Sequence, residues 1–575
     1  QVTYTTNGNC SGVETVDIKI EKDFIYDNGI WTPNDPSDLT NPSTRNHSIQ
    51  IMEDIVYANE LVVKNIKIAP AVSVSFTNDV SVYNKLNNQG NMNSTASFKA
   101  AEVINTIAWF SNKASFEVLE VENSNLTIQG NYIINNKLFN DDAISASTVD
   151  ATNAVVIFVI DGAFIDITGS VNVENFIENR RSFRFLSSSV TSTSSIYQNW
   201  QENGDNLIVG LGIHITGAGG AANGFDTTST NNASMFGYNN LNQSWLAQTS
   251  TNQQQDVLTA GKPYRVLVRG DRQTDLSSNS SASSQTVLRA NGTLENSSKT
   301  VNDIALNSGE YMMIGNPYQS NLDLASQLRE LLNNNSNNLT AVDPNFYYVW
   351  DPLGNEKGVY RTYDLATNTF VGAQVPNTRM IPGTITPGQS FFIAASGTAN
   401  GNVTLNRTSN STPLPSGLRN QINSNASLMI SLFDNTSAAS ATSSIDGLMI
   451  RFENGSNNGV DNSYAIKFSN IDENMARQHS SGSLLSIENR ALPFDGEELQ
   501  LFNNNYRNTN YIIEVASTSL GQVQGVLVDN LNNTRTILND GQSTSYSFTV
   551  DGANSQSIAS DRFKIVFENT TLGVD

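Results

Sequence analysis

The sequence has few of the residues that most often carry chemistry. It contains one cysteine, Cys10, and three histidines among 575 residues. A single cysteine excludes an internal disulfide framework and a metal site built from several thiolates. His47, His214 and His479 fall in three different predicted domains, and none has an HExxH or GxSxG context. We therefore predict a non-enzymatic protein, with no catalytic, cofactor-binding or metal-ligating residues.

Positive charge is also scarce. Lys and Arg number 32 against 54 Asp and Glu, which gives a net charge of −22. Binding to nucleic acid depends on cations that displace counterions from phosphate, so this class of partner is excluded. An acidic surface favours solubility outside the cell. The acidic turns 457–462 and 470–474 could hold calcium, but neither has EF-hand spacing, and we assign no ligands.

Long apolar runs are missing as well. No stretch of about 18 apolar residues occurs, so we predict no membrane span. A chain that begins at Gln1 with this Asn-, Ser- and Thr-rich composition is expected to be a mature, exported protein. Hydrophobic residues make up 38% and charged residues 15%, and the polar, turn-forming remainder favours strands over helices.

A repeat near the start gives the first architectural signal. The segments VSFTNDVSVYN from Val74, LTIQGNYIINN from Leu126 and IDITGSVNVEN from Ile165 each place apolar residues at positions 1, 3, 7 and 9. Position 11 is Asn84, Asn136 or Asn175. Paired short strands that recur with inserted loops are typical of a β-solenoid. The three asparagines could form a hydrogen-bonded ladder between coils, or they could be ordinary turn residues.

The rest of the chain predicts sheets with one helix. Leu324, Ala325, Leu328, Leu331 and Leu332 share one helical face, with Asn321 or Asp323 as the N-cap. After a Ser/Asn/Pro-rich linker, nine short alternating segments follow. The predicted fold is all-β, with an N-terminal right-handed β-solenoid (1–178), a central β-sandwich-like domain containing the helix (179–405), a linker (406–425) and a C-terminal β-sandwich (426–575).

Other motifs support structural roles better than chemical ones. The run GAGGAANG from Gly217 follows a strand, but no amphipathic helix follows it, so a loop is preferred to a dinucleotide site. Six aromatic residues could stack on sugars: Trp200, Trp245, Phe346, Tyr347, Tyr348 and Trp350. Phe346, Tyr348 and Trp350 share one strand face, with Tyr347 opposite, and these three and Trp200 are expected to pack in the core. The candidate acids Asp79, Asp161 and Glu174 do not recur at equivalent repeat positions, so we interpret them as solvated charges.

Several stretches resemble a known class of proteins. They are RSFRFLSSSVTSTSSIYQNWQENG from Arg181, GKPYRVLVRGDR from Gly261, MMIGNPYQS from Met312, DNSYAIKFSN from Asp461, LSIENRALPFDGEELQL from Leu485 and DRFKIVFENTTLGVD from Asp561. Together they resemble the large surface proteins that Bacteroidetes export through the type IX secretion system. In that family a segment like 561–575 precedes a removable C-terminal sorting domain. The triplet Asp226-Thr227-Thr228 also resembles the O-glycosylation motif of these bacteria, which makes Thr227 a candidate glycosylation site, with an ordinary loop as the alternative.

The resemblance implies a location and a set of functions. We expect a secreted protein at the cell surface, associated with the outer membrane, with other surface or secretion proteins as partners and surface glycans as a further partner class. The leading hypothesis is a structural or interaction protein in adhesion, gliding motility or assembly of surface machinery. The alternatives are a carbohydrate-binding or polysaccharide-degrading β-helix protein and an accessory subunit retained on the type IX secretion apparatus.

Overall fold

The architecture was obtained as a computed structural model. It describes residues 23–36, 47–105, 113–121, 131–140, 147–149, 157–159, 164–167, 171–278, 280–295, 297–305, 307–319, 321–334, 339–375, 380–397, 401–406, 426–434, 443–461 and 463–570. Cys10 and most of the predicted linker lie outside these ranges. The chain divides into two compact units, Gln1–Asn175 and Phe176–Asp575.

The fold is mostly β, as predicted, with a single α-helix in the described part of the chain. That helix has 11 residues, and no described helix is long and apolar enough to cross a membrane. The helical prediction is thus confirmed in type and number for these residues.

The first unit consists of short strands joined mainly in parallel. The sheet order is β12-β10-β9-β8-β7-β5-β3-β1-β2, and β4, β6 and β13 pair beside this path. The strands are β1 Asp23–Asp27, β2 Ile30–Thr32, β3 Ser48–Ile51, β4 Ile55–Tyr57, β5 Leu61–Ile68, β6 Ser73–Phe76, β7 Val80–Asn88, β8 Asn91–Asn105, β9 Lys113–Val121, β10 Asn131–Asn140, β11 Ser147–Val149, β12 Ile157–Val159, β13 Phe164–Ile167 and β14 Val171–Ile177.

Consecutive strands pair with a nearly constant sequence offset. Val63 pairs with Val82, and Val82 pairs in turn with Ala100, so each partner lies roughly 20 residues further along the chain. The strands β8 and β9 cover most of the stretch between the first two repeat copies. Its apolar residues do not follow the repeat template, which is why the sequence pattern missed these two strands.

Apolar and aromatic side chains fill the interior of the first unit. The four apolar positions of the first repeat copy are all buried, with exposed fractions of 3% or less: Val74, Phe76, Val80 and Val82. The rings of Tyr57, Phe76 and Phe98 contact one another in sequence, with centroids 6.3 and 5.9 Å apart. Ring pairs at these separations add to the burial of apolar surface, so the aromatic row ties β4, β6 and β8 together.

The second unit contains the remaining strands and the helix. Up to residue 405 the elements are β15 Ser182–Leu186, β16 Val190–Thr191, β17 Met235–Asn239, β18 Ser244–Ala247, β19 Tyr264–Val268, β20 Thr286–Leu294, β21 Lys299–Val301, β22 Tyr311–Gly315, β23 Leu322–Asp323, α1 Leu324–Asn334, β24 Val342–Asp351, β25 Val359–Asp364, β26 Thr369–Gly372, β27 Thr384–Ile385, β28 Ser390–Ala395 and β29 Val403–Leu405. The C-terminal strands are β30 Ala426–Asp434, β31 Asp446–Phe452, β32 Ala465–Ile466, β33 Asn474–Gln478, β34 Leu484–Arg490, β35 Glu498–Asn504, β36 Asn510–Thr518, β37 Val523–Asp529, β38 Thr534–Ile537, β39 Ser543–Thr549 and β40 Phe563–Asn569.

The helix α1 packs through its predicted face and is capped by one of the two predicted residues. Leu324, Ala325 and Leu328 have exposed fractions of 1% or less, whereas Leu332 is 52% exposed. Asp323 accepts hydrogen bonds from the amide and the hydroxyl of Ser326, at 3.0 and 2.7 Å. A carboxylate in this position satisfies an amide that has no partner within the helix, so Asp323 is the N-cap.

Strand β24 separates two cores within the second unit. Phe346, Tyr348 and Trp350 belong to one cluster, which also includes residues of the C-terminal strands, and Tyr347 belongs to another. Because side chains alternate across a strand, this division follows from the sequence, and the predicted core packing of these aromatic residues is confirmed. The segments predicted as central and C-terminal domains thus contribute to one shared aromatic cluster.

The C-terminal strands form one long sheet whose ends share a core. Its order is β38-β37-β40-β35-β33-β34-β31-β30-β36-β39, with β32 beside β34. Leu428 from β30 and Ile565 from β40 are distant in this order, yet both belong to the same buried cluster. All nine predicted segments contain strands. The sequence pattern missed β33 and β38, whose sequences NMARQ and TRTI lack a clear apolar alternation.

The aromatic row of the first unit allows a direct test. Replacing Phe76 with Ala removes the central ring, so we expect the first unit to lose about 3–5 kcal/mol of unfolding free energy through lost burial and the remaining cavity. Differential scanning calorimetry with limited proteolysis would measure the loss. Val56→Ala, which alters a 69% exposed side chain on β4, should leave the unfolding transition nearly unchanged. Equal effects of the two substitutions would contradict the row as a stabilising element.

Candidate functional site

The asparagines of the repeat lie where the parallel strands shift register. Asn84 falls in the register break between Val82 and Lys85 of β7, and Asn136 falls in the corresponding break of β10. The Asn84 side-chain amide donates to Asn65 Oδ1 at 2.8 Å, and the Asn65 amide donates to Ser48 Oγ at 2.8 Å. These two bonds link three successive strands. Asn175 lies in β14, and the ladder through Asn136 and Asn175 stays a prediction.

The glycine-rich run is a loop closed by a buried carboxylate. Gly220–Asn223 forms a short 3-10 turn, flanked by Gly219 and Gly224 with φ of 97° and 78°. Asp226 follows this turn, and its Oδ2 accepts hydrogen bonds from the Ile215 amide and the Gln201 side chain, both at 3.1 Å. The carboxylate thus holds the return of the loop against the preceding segment, consistent with the preferred loop interpretation.

Asp226 is the centre of a charged cluster. Arg272 donates from two nitrogens to the two Asp226 oxygens, at 3.1 and 2.7 Å, and Nδ1 of the buried His214 lies 3.2 Å from Oδ1. Burial alone would raise the pKa of Asp226, but the close contact with His214 and the hydrogen bonds from Arg272 outweigh it and lower that pKa to about 2. Arg272 also donates to Asn206 Oδ1. This arrangement anchors the loop by a hydrogen-bonded ion pair.

The predicted glycosylation residue adjoins this cluster. Thr227 is exposed on the loop directly after Asp226. The Asp226 carboxylate itself is taken up by Arg272, Gln201 and the Ile215 amide. Glycosylation of Thr227 stays a prediction. In the folded protein an enzyme that recognises the triplet could reach the Thr227 side chain, whereas the Asp226 carboxylate is already hydrogen-bonded.

The other two histidines have local structural contacts. His47 packs edge-on against Phe24, with ring centroids 5.5 Å apart. His479 contacts Ser481 Oγ and the Asn458 carbonyl through its two ring nitrogens, each at 2.8 Å. Across the described ranges, no group of three or more His, Cys, Asp and Glu side chains is arranged to hold a metal ion.

The two Asn/Asp-rich turns differ in how their carboxylates are used. In the 470–474 turn, Asp472 lies 3.1 Å from Lys357 Nζ, and Glu473 accepts hydrogen bonds from Arg507 and Tyr511 at 2.9 and 2.8 Å. These protein donors occupy oxygens that calcium would need, so this turn does not fit the ion. In the 457–462 turn, Asp461 accepts from the amide and hydroxyl of Ser463.

Buried ion pairs recur through the second unit. Lys467 Nζ lies 2.6 Å from Asp446 Oδ1, with the two side chains 4% and 0% exposed. Arg477 and Arg490 both contact the fully buried Glu488, at 2.9 and 3.3 Å. Removing one member of such a pair leaves an uncompensated buried charge, so these groups hold the sheets together.

One surface combines a cation with aromatic rings and has no such carboxylate. The four-stranded sheet β15-β19-β17-β18 presents Phe183, Phe236, Trp245 and Arg265 on one face, and we call this set the arginine–aromatic face. The Arg265 guanidinium lies 4.0 Å from the Phe183 ring centroid, 5.2 Å from Trp245 and 5.9 Å from Phe236. All four side chains are partly exposed. Burial lowers the pKa of Arg265.

Two stretches rich in basic residues contribute to this face, but the sequence pattern alone did not predict a binding site there. The stretches NRRSFRF and GKPYRVLVRGDR carry seven of the 32 basic residues, and the strands within them, β15 and β19, pair antiparallel. Phe185 is opposite Arg265 in this register. Trp200, with an exposed fraction of 2%, is a core residue as predicted, whereas Trp245 is partly exposed and packs against Phe185, Tyr238 and Phe392.

Comparison with known proteins adds no identification. No protein-family model, curated protein or solved structure matches this chain.

The Asp226 cluster makes stability depend on pH. Because the folded pKa of about 2 lies below the ordinary 3.8, the carboxylate stabilises the fold above pH 4, and this contribution disappears as pH falls towards 2. Asp226→Asn should therefore cost about 2 kcal/mol at pH 7. Denaturant unfolding of variant and wild type at pH 7 and pH 3 would measure it, and the difference should shrink at pH 3. Asp561→Asn, on an exposed carboxylate, is the control, and a pH-independent difference would contradict the assignment.

Proposed function

We propose that the protein is a secreted, cell-surface structural or interaction protein that serves adhesion, gliding motility or assembly of surface machinery. The observation that carries the proposal is the use of charge in the second unit, where ionisable side chains form buried pairs within the protein. Asp446 with Lys467 and Glu488 with Arg477 are examples. Groups held in this way stabilise a β scaffold, and their protons are not available for exchange with a substrate.

The first unit supports a scaffold function through its repeating ladder. We infer that it is a right-handed β-solenoid, because parallel strands recur at offsets of roughly 20 residues and share one apolar interior. Right-handed connections are the general preference between parallel strands. The C-terminal strands, whose two ends share a core, support a β-sandwich in the same way.

Export through the type IX secretion system and association with the outer membrane belong to the same proposal. They rest on the resemblance of segments 181–204, 261–272, 312–320, 461–470, 485–501 and 561–575 to exported Bacteroidetes surface proteins. An accessory subunit retained on the secretion apparatus would have the same location, and co-purification with that apparatus from native membranes would distinguish it.

A second candidate function is carbohydrate binding. It is favoured by the arginine–aromatic face, where partly exposed rings surround a cation. Aromatic rings with a few polar groups are a common basis for ligand binding, and the face is compatible with an adhesive role.

Retention on surfaces tests the proposed function. Beads coated with the full chain should remain on glass coated with outer-membrane vesicles or cell-surface polysaccharide under flow. Beads coated with heat-unfolded chain are the control. Multiple-turnover release of reducing ends from polysaccharide by the soluble chain, with bead retention no greater than the control, would overturn the proposal in favour of a polysaccharide-degrading enzyme.

The solenoid is tested by cysteine pairs in a background in which Cys10 is replaced by Ser. Ser75 and Asn93 are register partners on the adjacent parallel strands β6 and β8. Neighbouring strands lie about 4.8 Å apart, within reach of a disulfide, so Ser75→Cys with Asn93→Cys should crosslink on mild oxidation. Ser75→Cys with Ser94→Cys, displaced by one residue and pointing to the other side, should not. Crosslinking of the displaced pair alone would contradict the register.

A further inference from the structure

Arg265 differs from the other arginines that stack on aromatic rings in the described parts of the chain. Arg562 lies over Phe548 and Phe563, and it donates to Asp529 at 2.9 and 2.7 Å. Arg361 lies over Phe370 and contacts Asp351 at 3.3 Å. In both cases the ring supports the guanidinium while a carboxylate takes its N–H groups.

Arg265 has the rings without the carboxylate. Its guanidinium has no hydrogen bond or ion pair with any described residue, and its nitrogens are not among the buried polar atoms that lack partners. Stacking on Phe183 uses the face of the guanidinium, and it leaves the N–H groups at its rim pointing away from the ring. These donors are therefore open to solvent on a partly exposed surface.

The free N–H groups of Arg265 are suited to bind an anion. A planar guanidinium binds carboxylate or sulfate through two parallel hydrogen bonds, and the rings around it hold it in one orientation before the ligand arrives. The ring of Trp245, 5.2 Å from the guanidinium, packs on Phe185, Tyr238 and Phe392, and the part that stays exposed adds apolar surface beside the charge. Such a surface can pack against the C–H faces of a sugar, whereas a small inorganic anion would make no apolar contact with it.

The net charge of the protein restricts the class of acidic ligand further. At −22, the chain repels nucleic acid and other extended polyanions except where cations are concentrated. Arg265 is a local cation with no carboxylate partner among the described residues, and screening limits repulsion from distant acids to about 8 Å at physiological salt. A saccharide that carries only isolated acidic groups can bind this cation, because the net negative charge of the protein repels it less than it repels an extended polyanion.

We propose that the arginine–aromatic face binds an acidic saccharide, with the carboxylate or sulfate of the ligand on Arg265 and a sugar ring against Trp245 and Phe236. The inference rests on the carbohydrate-binding function proposed above and names its ligand class. The guanidinium provides charge and orientation, and the rings provide the contact area.

Affinity electrophoresis of the full chain in gels containing polygalacturonate, dextran sulfate or neutral dextran tests this inference. We expect retardation by at least one acidic polymer and none by neutral dextran. Arg265→Gln should weaken binding at least tenfold, and Arg265→Lys should weaken it less, because charge remains but the planar fork is lost. Arg535→Gln, which removes an exposed arginine paired with Glu568, changes the net charge equally and should alter binding less than twofold.

The pattern of outcomes identifies the ligand chemistry. Binding to polygalacturonate alone indicates a carboxylate ligand, and binding to dextran sulfate alone indicates a sulfate ligand; both support the proposal if Arg265→Gln abolishes them. Thermal unfolding of each variant verifies that the fold is kept. Absence of binding to both acidic polymers, or equal losses with Arg265→Gln and Arg535→Gln, would overturn it. If neither acidic polymer retards the chain while coated beads are still retained, the surface function stands and this inference fails.

Discussion

The pairing of buried charge is the constraint on which the second unit depends. A carboxylate such as Glu488 or Asp446, with no exposed surface, is tolerated only because a cation and hydrogen-bond donors face it. Some of these pairs cross between segments far apart in sequence, as when Arg451 meets Asp364 at 2.8 Å. Lys and Arg are scarce in this protein, and several of them form ion pairs inside the fold.

The first unit is held together by different means. Its described interior is mostly apolar, with aromatic rings in a row, and its polar side chains form hydrogen bonds such as that between Asn84 and Asn65. Uncharged amides suit a parallel ladder because like side chains from successive strands lie close together, where like charges would repel. Neutral amide hydrogen bonds between neighbouring strands are thus one means by which the first unit is held together.

The sequence allowed the class of elements to be predicted better than their connections. Alternation identified nine C-terminal strands, and the spacing of Leu324, Ala325 and Leu328 identified the helix, because burial imposes those periods directly. Strands β8 and β9 were missed because their apolar residues do not follow the repeat template, and β33 and β38 because theirs do not alternate clearly. The arginine–aromatic face could not be predicted as a site, because it depends on the pairing of β15 with β19, which lie about 80 residues apart.

The position of strand β24 has a mechanical consequence for the second unit. Its two faces belong to separate cores, and one of these includes Ala465 and Ile487 from the C-terminal strands. A pull on the C-terminal segment would reach the central sheet through these packed side chains as well as through the covalent chain. Because both the central and the C-terminal strands pack on β24, we expect these two parts of the second unit to unfold together under force rather than one after the other.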